Sequence, residues 1–190
     1  MKPTTPSNFC QPDEAEGAAK MDLHSLIAEV PNFPKPGILF RDITPLLASP
    51  AAMLYVQAAM AEWAGPSAPT HIVGIESRGF LFGLPVAMHL RLPFVPARKP
   101  GKLPRETRRA EYALEYGTDA LEIHADALAP GDRVLIVDDL LATGGTAEAV
   151  CRIIEGQGAK VVGVLVLIEL LALEGAARLA PRTVNALVKY

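Results

Sequence analysis

Apolar residues along this chain fall into short unbroken runs, separated by longer stretches where they recur at helical spacing. A run of roughly four to eight apolar residues between turn signals suits a strand buried on both faces. Such runs predict strands at His71–Ile75, Phe94–Ala97, Arg133–Asp138 and Val161–Ile168. The helical spacing predicts helices over Pro50–Trp63, Phe80–Leu90 and Thr146–Gln157. Leu23, Leu26, Ile27 and Val30 share that spacing, which predicts one more helix from Met21, stopped by Pro31, Pro34 and Pro36. Strands alternating with helices form crossovers, so the expected class is α/β with a parallel sheet.

Two stretches break this rhythm. Residues 1–20 are polar and proline-bearing, without apolar periodicity, and ordering them would cost more entropy than their burial returns. They are expected to be a disordered tail, with residues 21–190 as a single domain. Arg98 to Glu122 holds a charged, proline-bearing stretch and then a hairpin.

Composition narrows the functional classes. The chain has 190 residues, half of them hydrophobic, enough for one core. Its formal charge of -3 leaves no broad basic surface for nucleic acid, so any anion site must be local. The two cysteines, Cys10 and Cys151, have neither disulfide-scaffold nor zinc-site spacing, and the four histidines show no metal-ligand pattern. Without a spanning apolar segment or a signal peptide's hydrophobic stretch, the expectation is a cytoplasmic protein with no membrane partner.

The chemistry concentrates in Val134–Thr146, VLIVDDLLATGGT, where an apolar strand ends in two acids and a small glycine-bearing loop leads into an amphipathic helix. In open α/β sheets ligands sit beyond the carboxyl ends of the strands, where a helix N-terminus offers unpaired N–H groups to a phosphate. Ala142, Thr143, Gly144, Gly145 and Thr146 form such a cradle. The glycines permit positive φ and close backbone approach, and both threonine hydroxyls are able to donate to phosphate oxygens. Asp138 and Asp139 accept hydrogen bonds and so match the two neighbouring hydroxyls of a ribose. Because side chains alternate along a strand, both acids face one sugar only where extended structure ends near them. Neither the P-loop pattern nor the dinucleotide fingerprint is present.

This segment resembles the phosphoribosyl diphosphate signature of the type I phosphoribosyltransferases, and Leu140-Leu141-Ala142 before a glycine pair is similar to the adenine-specific members. The match runs from about Met21 to Tyr190. It implies a Rossmann-like parallel sheet flanked by helices, with a small hood formed by the N-terminal segment and a flexible loop. By resemblance, Asp138 and Asp139 hold the ribose 2′ and 3′ hydroxyls, and Ala142 to Thr146 bind the 5′-phosphate. The implied reaction joins adenine to 5-phosphoribosyl 1-diphosphate, releasing diphosphate and forming AMP. The implied cofactor is Mg²⁺, held mainly by substrate and water with no direct protein ligand, and the implied assembly is a homodimer.

Three further segments gain meaning from that resemblance. Gly74–Gly83, GIESRGFLFG, is by itself an ordinary strand-to-helix turn; in the family it is the diphosphate loop, with Ser77, Arg78 and Gly79 as contacts and a cis peptide joining Glu76 to Ser77. Arg98–Gly117 is by itself a solvated or nucleic-acid-facing basic run; the family makes it a mobile hood whose closure excludes water. That assigns Arg98 and Lys102 to the diphosphate, Arg98 reaching across a dimer interface, and makes Glu115 the catalytic acid near the purine N7. The chain departs from the family pattern at Arg108, Arg109, Ala110 and Glu111. Phe33–Leu47, FPKPGILFRDITPLL, is by itself an edge connection with Phe40 as core; in adenine phosphoribosyltransferases it is the base-binding hood. Phe40 would stack on adenine, Leu39 would line the pocket, and backbone groups around Arg41 would read the amine and N1.

Two other functions stay open. One is phosphoribosyl transfer to another base, such as xanthine, hypoxanthine or orotate. The other is a regulator of this fold that senses the phosphoribosyl donor, as certain purine-operon repressors do; residues 1–20 are too few for a winged helix, so no nucleic-acid partner is expected.

Overall fold

The structure, a computed structural model, describes residues 21–113 and 118–190. The expected tail and Glu115 lie outside the described residues. In chain order the elements are β1 (Ala28–Pro31), β2 (Leu39–Asp42), α1 (Thr44–Leu47), α2 (Pro50–Ala64), β3 (His71–Ile75), α3 (Gly79–Leu90), β4 (Phe94–Ala97), β5 (Thr107–Ala113), β6 (Thr118–His124), β7 (Arg133–Leu141), α4 (Gly145–Gly156), β8 (Lys160–Glu169), α5 (Gly175–Arg178) and β9 (Val184–Lys189). Five strands form a parallel sheet in the order β4-β3-β7-β8-β9. Two antiparallel ribbons, β1–β2 and β5–β6, complete the strand structure.

The unbroken apolar runs mark strands covered on both faces. Along β7, Val134 and Ile136 enter one core with α4 and the β5–β6 hairpin, while Leu135 and Val137 enter the other with α2 and α3. Along β8, Val164 and Val166 divide from Leu165 and Leu167 in the same way. This is the two-residue period of a strand read through two layers. The hairpin belongs to the core too: Leu121 and Ile123 are buried beneath it, while Arg108 and Arg109 point outward.

The structure departs from the expectation in two elements and adds a strand that was not expected. The helix expected from Met21 is a single 3-10 turn, His24–Leu26, followed by β1. Leu23 and Ile27 do enter the core, but Val30 is exposed and the chain pairs with β2. A helix this short has a costly nucleus and yields to cross-strand pairing. Secondly, β7 continues past Asp138 to Leu141, because β8 stays paired with it as far as Glu169, whereas its pairing with β3 stops at Gly74–Val137. Thirdly, β9 is an edge strand whose inward residues, Ala186 and Val188, are too few to stand out as an apolar run. Among the described residues, no helix is long and apolar enough to cross a membrane.

Candidate active site

The early end of β3 opens the site. Beyond Val137, β7 has a neighbour on one side only, so Asp138 and Asp139 border a cleft of about 470 Å³ at the carboxyl edge of the sheet. The cleft straddles that edge, which is how two successive strand residues both line it although extended structure continues. Asp139 is buried, with its Oδ2 2.6 Å from Arg78 Nε. Asp138 is half-buried, and its Oδ1 accepts from the Asp139 N–H at 2.9 Å. Burial, then the neighbouring Asp139 carboxylate, pushes the Asp138 carboxyl well above its ordinary range.

Ala142, Thr143, Gly144 and Thr146 line the floor of the cleft. Gly144 has φ +80°, and a Cβ there would fall 2.8 Å from the Gly175 carbonyl oxygen. Gly145 does not need the left-handed region; it is the first residue of α4. Among the described residues no side chain caps α4, which leaves its first N–H groups for an anion.

The second turn, Glu76–Gly79, forms the opposite wall, with Ser77 and Arg78 lining the cleft and a cis Glu76–Ser77 peptide. Gly79 opens α3 and packs so closely on β7 that a Cβ would lie 2.7 Å from Asp138 Oδ1. Arg98 makes a forked pair with Glu76, Nε to Oε2 at 3.1 Å and Nη2 to Oε1 at 3.2 Å, and its Nη1 donates to the Lys102 carbonyl. Burial pushes the Glu76 carboxyl up, but the Arg98 guanidinium and the Lys99 N–H bring it below its ordinary value. Lys102 is exposed and does not line the cleft.

Reasoning from the sequence passed over three contributors. Lys99 lines the cleft and pairs with Asp119 at 3.2 Å, which raises its ammonium pKa. Tyr112 also lines it, its hydroxyl donating to Asp119 Oδ2 at 3.3 Å, with its pKa raised by burial and then by that carboxylate. Gly175 supports the loop from beneath: a Cβ there would lie 2.2 Å from the Ala142 carbonyl oxygen. For Lys99 the signal was adjacency to Arg98; for Tyr112 and Gly175 the contacts are long-range, and no local pattern marks them.

A second hollow, about 530 Å³, adjoins this cleft; Arg78 lines both. Phe40, Phe33, Val30, Asp42 and Leu47 also line it, and the Phe33 and Phe40 rings meet edge-on with centroids 5.1 Å apart. Thr44 donates its hydroxyl and N–H to Asp42 and lowers that carboxyl's pKa. Leu39 and Arg41 flank Phe40 on β2 and do not line the hollow; Leu39 is exposed and Arg41 pairs with Glu29.

Three comparisons bear on this arrangement. Residues 45–184 match the family model of the phosphoribosyl transferase domain. The adenine phosphoribosyltransferase of Carboxydothermus hydrogenoformans is 56% identical over 170 residues, spanning 90% of this chain and 100% of that one. The crystal structure of the Thermoanaerobacter pseudethanolicus adenine phosphoribosyltransferase superposes with a TM-score of 0.86 at 48% identity, covering 88% of this chain and 98% of that one. The Saccharomyces cerevisiae enzyme, solved with an imino-altritol bisphosphate and adenine, superposes at 0.82 with 39% identity, covering 86% of this chain and 95% of that one. The family model spans most of the chain and these relatives match it almost from end to end, so this chain belongs to the phosphoribosyltransferase family, in its adenine phosphoribosyltransferase branch.

Proposed function

We propose that this chain transfers the phosphoribosyl group of 5-phosphoribosyl 1-diphosphate to N9 of adenine, giving AMP and diphosphate. The observation that carries the reading is the shared wall: Arg78 borders both the acid-lined cleft and the Phe40 hollow, so a sugar phosphate and a planar base would meet at one residue. The Thr143 and Thr146 hydroxyls with the first N–H groups of α4 hold the 5′-phosphate, and Asp138 and Asp139 accept from the ribose 2′ and 3′ hydroxyls. Ser77, Arg78 and the Gly79 turn face the diphosphate, with Lys99 on the same cleft and Arg98 and Lys102 in the segment beside it. As the bond at C1′ loosens, charge grows on the leaving diphosphate, and these cations stabilise it more than they stabilise the ground state.

The lining fits Mg²⁺ in one respect: its carboxylate oxygens are hard donors, while the described residues contain no cluster of three ligating side chains that would cage a metal alone. The ion would arrive on substrate oxygens beside Asp138 and Asp139 and supply charge neutralisation at the diphosphate. Phe40 stacks on the base, with Leu39 beside it. The β2 backbone around Arg41 matches adenine's amine donor and N1 acceptor; a 6-oxopurine reverses both and leaves buried polar groups unpaired. Glu115 accepts or relays the N7 proton, an effect on the order of 10² to 10⁴ in rate. Homodimeric assembly and a cytoplasmic location belong to the same proposal.

The test is a base panel: adenine, hypoxanthine, guanine, xanthine and orotate, each with the phosphoribosyl donor and Mg²⁺, followed by diphosphate release. Adenine should dominate, and Glu115→Gln should lower kcat with little change in the KM of the phosphoribosyl donor. Dominant activity on a 6-oxopurine would overturn the adenine reading, and an unchanged kcat would remove Glu115 from the chemistry.

A further inference from the structure

We propose that Tyr190 is a positioning residue for base binding, acting through Arg41; the proposal rests on the reading that the Phe40 hollow takes the base. Among the described residues, strands β1 and β2 pair only with each other and share no ladder with the five-stranded sheet, so side chains help to fix how the ribbon sits on it. Successive residues of β2 point to opposite faces. Phe40 lines the hollow, and Arg41 faces away from it, with its guanidinium carbon 3.7 Å from the centre of the Tyr190 ring. Glu29, directly across the ribbon from Arg41, pairs with the same guanidinium.

Tyr190 is itself tied to the end of the parallel sheet. Its N–H donates to the Glu169 carbonyl at 3.0 Å, and its carbonyl accepts from the Leu171 N–H at 2.8 Å. The His24 ring meets it edge-on, with centroids 5.0 Å apart. The ring therefore joins a point fixed by β8 to Arg41, the β2 residue that follows Phe40. Removing it leaves Arg41 with Glu29 alone, a partner on the same ribbon that gives no purchase on the sheet. Tyr190, Arg41 and Glu29 do not line the acid-lined cleft, and Arg78 is held there by Asp139 independently of them, so the phosphoribosyl site should keep its affinity.

Steady-state kinetics of the full chain test the idea with Tyr190→Ala, Tyr190→Phe and Phe40→Ala side by side. Tyr190→Ala should raise the KM for adenine roughly 3- to 30-fold, the scale of one cation–ring contact, with kcat and the KM of the phosphoribosyl donor unchanged. Tyr190→Phe keeps the ring and should behave as the parent. An unchanged adenine KM in Tyr190→Ala, or an equal rise in both KM values, overturns the proposal. Should Tyr190→Ala fail to fold, Arg41→Leu, which keeps the strand and loses the cation, must give the same split or the proposal falls. Phe40→Ala separates the two readings. If it leaves the adenine KM unchanged, the base site is elsewhere and both fail; if it raises that KM while Tyr190→Ala does not, only the role of Tyr190 fails.

Discussion

Asp138, proposed above to accept from a ribose hydroxyl, is held against its own solvation. The desolvation that raises its pKa, together with the adjacent Asp139 charge, penalises the ionised carboxylate in the folded chain. For an acid whose folded pKa is raised, the folded state binds more protons than the unfolded one between the ordinary value of 3.8 and the raised value. Stability therefore falls as pH rises through that window and stays lower above it. Asp138→Asn keeps the shape and removes the titration, so its melting temperature should exceed the parent's at pH 7, with the difference vanishing toward pH 3. The same substitution removes the proposed acceptor for a ribose hydroxyl and, on that proposal, should weaken binding of the phosphoribosyl donor roughly 10-fold. Thermal melts across pH and donor titrations check both, and a variant less stable than the parent at pH 7 would refute the account.

Single elements acquire their role from where they stop. β3 ends at Ile75, before β7 does, and the gap between those two ends is the cleft. The α4 loop fits beneath it because Gly144 takes a left-handed backbone and Gly175 leaves room under Ala142. Gly144→Ala combines a strained φ with a Cβ 2.8 Å from the Gly175 carbonyl oxygen, and should cost about 1–3 kcal/mol of stability. Chemical denaturation measures that cost; a change within about 0.5 kcal/mol would show that the loop relaxes freely. The loop itself was legible in the sequence because an apolar strand, two acids and a small-residue turn are contiguous. The single 3-10 turn at His24–Leu26 was not, since its helical spacing describes core contacts at Leu23 and Ile27 that a lone turn also makes.

In the whole molecule the acid-lined cleft at the sheet edge and the hollow between the β1–β2 ribbon and α1 share Arg78 as a wall, so a ligand filling both should stabilise the folded chain as a unit. AMP at about 100 times its dissociation constant should add about 2.7 kcal/mol, a rise of roughly 5–10 °C in melting temperature for a chain of this size. IMP at the same concentration should give a smaller shift, and Gly144→Ala should lose most of the AMP shift. An AMP shift unchanged in Gly144→Ala would place the phosphate away from the α4 loop.

Read alone, the sequence determined the alternation of buried strands and helices and the glycine-bearing loop with its acid pair, because each is written in neighbouring residues whose periodicity or backbone freedom is a local property. Only the tertiary structure decided that β7 outlasts β3, that Lys99 and Tyr112 join the cleft, that Gly175 supports the loop and that Tyr190 reaches Arg41. Those are pairings between residues far apart in the chain, and the free energy that selects them comes from packing and strand registry, which no local pattern records.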